Sequence, residues 1–90
     1  MAKEENQKEG SPVGTISHYF GNIGVAVIDL TDTLKVGDTI RIVGGEATDF
    51  TQNVDSMEYE HQKVETAKKG DSVGMKVAQK VHEGYQVYKI

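Results

Sequence analysis

The sequence predicts a small all-β domain built on a closed sheet, and three observations lead there. Short runs rich in β-branched residues follow one another from Val13 to Ile90, divided at close intervals by Gly, Asp and Asn, which is the spacing of strands and tight turns. A polar turn containing Gly recurs ahead of a strand in Lys35-Val-Gly37-Asp-Thr-Ile40, Lys68-Lys-Gly70-Asp-Ser-Val73 and His82-Glu-Gly84-Tyr-Gln-Val87. No segment builds a convincing apolar stripe at helical spacing.

In chain order, Met1 to Pro12 has no aromatic or β-branched residue and cannot bury enough surface to offset the entropy of ordering, so it reads as a disordered tail. The folded domain then runs from Val13 to Ile90. Its strand runs are Val13 to Phe20, Gly24 to Leu30, Asp38 to Val43, a stretch inside Phe50 to His61, Ser72 to Ala78, and Gln86 to Ile90. Gly21-Asn22 supplies the positive φ angles of a hairpin between the first two. Alternation is cleanest in Val73-Gly-Met75-Lys-Val77, where three apolar side chains share one face and Lys76 takes the other. The best helix candidate, Glu58 to Lys69, fails because Tyr59, Val64 and Ala67 do not line up. In each repeated corner, Gly accepts φ > 0 without steric cost and the apolar residue three places on is the first to reach the core.

Composition narrows the function classes. A chain of 90 residues holds one domain. The absence of cysteine removes disulfides, thiolate catalysis and cysteine-bound zinc. A net charge of -4 argues against holding nucleic acid by non-specific phosphate contacts, although from His61 onward six lysines face three acids and leave room for a local basic patch. No apolar run could span a bilayer and the charged start is not a secretory signal, so a cytoplasmic protein without a membrane partner is expected.

No catalytic constellation is visible. His18, His61 and His82 lack the spacing of a local metal motif, and Ser11, Ser17, Ser56 and Ser72 sit in no nucleophile-elbow setting. Asp55, Glu58 and Glu60 read as surface acids of a strand region. The expectation is a non-enzyme with no metal and no cofactor. The aromatic pair Tyr19-Phe20 beside the first turn either anchors the hairpin in the core or offers an exposed contact platform.

Val13-Gly-Thr-Ile16, Gly24-Val-Ala-Val27, Leu34-Lys-Val-Gly-Asp-Thr-Ile-Arg-Ile42, Val54-Asp-Ser-Met-Glu58 and Ala67-Lys-Lys-Gly-Asp-Ser-Val-Gly74 resemble, in order and spacing, the second domain of elongation factor Tu and related translational GTPases. The same pattern is similar to a domain at the C-terminal end of collagenase-like peptidases and to short elongation-factor-like proteins. The resemblance implies an antiparallel Greek-key barrel of six or seven strands. It also implies a translation-factor-like module that recognises an RNA end, a ribonucleoprotein or a protein partner. The nucleotide-binding G-x-x-x-x-G-K-[ST] loop of those GTPases is missing, so no GTP binding is expected. By resemblance, Glu58 matches a Glu of the pocket for the tRNA terminal adenosine, while His61 stands where the bacterial factor is basic. The candidate binding surface is therefore Tyr19, Phe20, Glu58 and His61 with Lys63, Lys68 and Lys76 at its rim. The collagenase-like resemblance offers a second function, an accessory domain acting in trans for a peptidase-like or RNA-modifying enzyme. A third is an oligomerising barrel, although a monomer is expected for the chain alone.

Overall fold

The computed structural model describes residues 10–45 and 47–90. The strands are β1 (Ser11–Phe20), β2 (Val25–Leu30), β3 (Leu34–Lys35), β4 (Thr39–Gly44), β5 (Thr48–Asn53), β6 (Met57–Tyr59), β7 (Gln62–Val64), β8 (Thr66–Ala67), β9 (Ser72–Lys76) and β10 (Gln86–Lys89). All eight strand pairings among the described residues are antiparallel. Of the tail expected over Met1 to Pro12, residues 1–9 lie outside the described residues, and Ser11 and Pro12 already pair with Lys89 and Tyr88.

The expected closure and strand count are corrected. Eight strands form one sheet in the order β5-β4-β10-β1-β2-β9-β6-β7, and β3 with β8 forms a separate pair, so the described residues build ten strands and their main ladder is not closed. A side chain of the edge strand β5 reaches the end of β9. The Gln52 amide donates to the Lys76 carbonyl at 2.9 Å and accepts from the Ala78 N–H at 2.7 Å. One carboxamide thus supplies a donor and an acceptor where a neighbouring strand would supply a ladder. The stretch inside Phe50 to His61 divides into β5 and β6, and β3, β7 and β8 are too short for the two-residue alternation that reveals a strand in sequence.

The three repeated corners explain how a chain with so little regular length holds a core. Gly37, Gly70 and Gly84 have φ of 99°, 93° and 92°. Each corner is closed by a hydrogen bond across the turn, from Asp38 N to Lys35 O, Asp71 N to Lys68 O and Tyr85 N to His82 O. Each also clasps one buried residue. Gly37 N–H donates to Val54 O while Val54 N–H donates to Asp38 O, and Gly70–Leu30–Asp71 and Gly84–Ile16–Tyr85 repeat the exchange. The residue three places after each glycine, Ile40, Val73 or Val87, is fully buried. In the first two corners the Asp carboxylate also accepts from the backbone, Asp38 from Lys35 N and Asp71 from Lys68 N. Tyr85 takes that place in the third, and its ring fills the space a β-carbon at Gly44 would need.

One irregularity in β1 decides which of its side chains face solvent. Ile16 pairs with Ile28, and the next partner of β2, Val27, pairs with His18, so Ser17 is a bulge. With Ile16 buried, plain alternation would turn His18 and Phe20 inward. The extra residue reverses the phase. Tyr19, opposite buried Ala26, packs against the core, and His18 and Phe20 face outward.

Candidate functional site

The outward face of β1, β2, β9, β6 and β7 carries most of the predicted surface. Two cross-strand rows define it: His18–Val27–Gly74–Glu58–Lys63 and Phe20–Val25–Lys76. Phe20 is 46% exposed, with its ring centroid 4.3 Å from that of His18. Ile23, at the turn, is 60% exposed. The hairpin there is a four-residue turn in which Ile23 and Gly24 both donate to the Phe20 carbonyl. Its positive φ falls on Gly24 rather than on Gly21-Asn22, because closing the turn on a single carbonyl places the left-handed residue last.

Between Val25 and Glu58 the face dips into a groove of about 320 Å³, lined by Ile23, Val25, Ser56, Glu58, Gly74, Met75 and Lys76. The dip exists because the middle outward position of β9 is a glycine. A β-carbon at Gly74 would stand 3.5 Å from Val25 Cγ1, an ordinary contact, so a side chain would fit there. Glu58 and Lys76 stand at the groove wall and Lys63 lies across from Glu58, all three exposed and with no salt bridge among them. Further along the same face, Ser72 Oγ donates to Asp29 at 2.6 Å.

The seven predicted residues therefore divide. Phe20, Glu58, Lys63 and Lys76 share one face. Tyr19 points to the core and takes the anchoring role. His61 sits with Glu60 in the positive-φ turn between β6 and β7, at 69° and 54°, which carries it to the hairpin tip. Lys68 lies in the corner before Ser72, at the opposite end of β9 from Lys76. Ile23, Val25, Ser56 and Gly74 were missed. The signal that could have found them is Gly74 itself, an outward gap in an otherwise regular alternation.

The ionisable groups are arranged for surface contacts. His18 Nδ1 lies 3.4 Å from Glu83, and His82 meets the edge of Tyr85 with ring centroids 5.6 Å apart. Among the described residues there is no grouping of three or more His, Cys, Asp or Glu side chains suited to a metal ion. Arg41 on β4 holds Asp49 on β5 through two hydrogen bonds of 2.8 and 2.7 Å. Those bonds, with the guanidinium charge, hold the Asp49 carboxyl below its ordinary range. The Tyr59 hydroxyl is pushed up, mainly by the charge of Glu60 and then by that of Asp71. No helix among the described residues is long and apolar enough to cross a membrane.

No family model matches the chain. Among individual proteins, an uncharacterized protease of Methanocaldococcus jannaschii is 41% identical over 76 residues, which is 84% of this chain and 19% of the protease. A collagenase of Porphyromonas gingivalis is 35% identical over 78 residues, 86% of this chain and 22% of the collagenase. The chain thus spans about a fifth of the length of the curated relatives it matches. A solved structure of the C-terminal domain of a Geobacillus thermoleovorans protein assigned to the U32 peptidases superposes with a TM-score of 0.83 at 21% identity, over 88% of this chain and 99% of that one. A second structure of the same domain gives 0.83 over 89% and 92%.

These matches correct the elongation-factor and RNA-binding reading, along with the tRNA-end role implied for Glu58 and His61. The motifs that carried it, around Gly37 and Gly70, build corners, and corner geometry reports how strands are joined without reporting what they bind. The chain is homologous to a domain-sized segment of collagenase-like peptidases and shares the fold of a U32 peptidase C-terminal domain.

Proposed function

We propose that this chain is a non-catalytic accessory domain that works with a peptidase-like enzyme, through a protein partner rather than through chemistry of its own. The observation that carries the reading is the extent of the match. Identity of 41% and 35% runs through most of this chain yet touches only 19% and 22% of the protease and the collagenase, so an enzyme of that kind has ample chain elsewhere for its reaction. The surface agrees in kind. It offers a shallow groove with unpaired rim charges, where peptide-bond hydrolysis would call for a positioned nucleophile, a base and an oxyanion site.

The test uses the chain as it is. The Porphyromonas gingivalis collagenase would be prepared without the 78 residues that match, and the present chain added to it in sedimentation velocity runs. Interfaces between domains resemble transient protein–protein contacts, so a one-to-one complex with a Kd on the order of micromolar is expected. Independent sedimentation of the two components at about 100 μM would count against the proposal.

A further inference from the structure

We infer that the outward face of β5, β4, β10 and β1 is the surface on which this domain seats against the body of its peptidase-like enzyme. The inference rests on the accessory-domain reading and assigns the docking surface, in the other half of the sheet from the groove over Gly74.

Composition supplies the first argument. The register sets Thr51, Arg41, Tyr88 and Pro12 in one cross-strand row. Their neighbours along the strands, Phe50, Ile40, Ile42, Val87 and Val13, are buried, so the row faces outward. Val43 and Gln86 pair on one side of it, and on the other Ile90 N donates to Thr39 O at 3.0 Å. In a chain that is 27% charged, the charged side chains of this face are Arg41 and Asp49, and they neutralise each other through two hydrogen bonds. Tyr and Arg without Lys or Glu is the composition of a protein–protein contact centre. A neutral face has nothing to hold the phosphates of a nucleic acid. The other half of the sheet carries Glu58, Lys63 and Lys76 exposed, as a surface that stays in water does.

The path of the chain supplies the second argument and names the occupant. The Geobacillus thermoleovorans domain, 99% of which is covered, is the C-terminal domain of its protein, so the rest of that protein joins ahead of the strand that corresponds to β1. In the present chain that end lies against β10. Gly10, at a φ of 82°, sits so close on Ile90 that a β-carbon would overlap the Ile90 Cγ2 and the Lys89 carbonyl. The backbone thus reaches β1 past Ile90, which is 49% exposed, and a body joined there meets this face first. Four strands about 4.8 Å apart, with about five residues each, present about 300 Å². Both partners together would bury about 600 Å², the lower end for contacts between domains of one chain.

The test adds variants of the present chain to the Porphyromonas gingivalis collagenase lacking its matching 78 residues and reads Kd by sedimentation velocity. Thr51→Glu and Tyr88→Ser should each weaken the complex at least about tenfold, while Glu58→Lys and Lys76→Glu should change it less than about twofold. Thr51 is exposed on an edge strand, so its substitution spares the fold if Tyr88→Ser does not. With the isotope-labelled chain and a substoichiometric amount of the truncated collagenase, amide signals of Arg41, Thr51, Tyr88 and Ile90 should lose intensity before those of Glu58, Lys63 and Gly74. The inference fails, with the accessory reading intact, if a complex forms and Thr51→Glu and Tyr88→Ser bind as the unaltered chain does, or if the losses centre on Gly74. Dimerisation of the chain alone that Thr51→Glu abolishes would make a second copy the occupant and overturn it. No complex with the unaltered chain at about 100 μM would overturn the accessory reading and the inference together.

Discussion

At Gly37 and Gly70 a single hydrogen atom in place of a side chain decides whether a corner forms. Both have φ above 90°, and neither has an atom within 4 Å of where a β-carbon would sit. A substitution there therefore meets backbone strain alone. Gly37→Val and Gly70→Val should each lower stability by roughly 1–3 kcal/mol. Asn, which tolerates a left-handed backbone better, should cost clearly less at the same positions. Urea midpoints would check both, and equal midpoints for Val and Asn would show that φ is not the cause. Asp49 offers a second residue-scale expectation. Its folded pKa is depressed by Arg41, so the pair's contribution is present above the unfolded carboxyl value of about 3.9 and is lost as pH falls through the folded value. A carboxyl-detected NMR titration should place Asp49 below the ordinary carboxyl value of about 3.9, and Arg41→Ala should return it toward that value. The corners were legible in the sequence because a glycine, a polar neighbour and an apolar residue at fixed offset leave a written pattern. The pairing of Arg41 with Asp49 was not, because it depends on the register of β4 against β5, which neither residue encodes alone.

Among the elements, β1 shows most clearly what a sequence hides. Val13 to Phe20 reads as one uninterrupted strand, yet the bulge at Ser17 sets which aromatic faces solvent, and nothing in Ile16-Ser17-His18 marks an extra residue. The two rings consequently part: Tyr19 packs inward as an anchor, and Phe20 faces solvent. The expected ring of strands failed for a similar reason. Corners at Gly37, Gly70 and Gly84 turn the chain, but whether the outermost strands then meet depends on summed twist and register. Here the outermost strands, β5 and β7, do not pair, and Gln52 ties β5 to Lys76 at the end of β9 and to Ala78 beyond it. Gln52→Ala should remove both bonds, at a cost of about 1 kcal/mol, and should raise hydrogen exchange at Ala78 without affecting β1 or β10. Unchanged exchange at Ala78 would mean that the carboxamide does not hold the two ends together.

For the molecule as a whole, the β class and the position of most strands follow from sequence, while the partner does not. The same motifs fitted two families because both resemblances rest on turns and buried strand residues such as Ile40 and Val73. Half of the candidate surface could be found in advance, since Phe20, Glu58, Lys63 and Lys76 are conspicuous residue types on strands that the fold brings side by side. Gly74, which makes the groove, draws attention only when its outward position is known. The central claim is that this chain assists a peptidase-like enzyme without catalysing the reaction. Its most direct test is collagen hydrolysis by four samples: the intact Porphyromonas gingivalis collagenase, the same protein without its matching 78 residues, that truncated protein with residues 10–90 of the present chain grafted in place, and the present chain alone. Activity is expected in the first, a loss of at least about tenfold in the second, recovery in the third and none in the fourth. Cleavage by the chain alone, or a truncated collagenase as fast as the intact one, would contradict it.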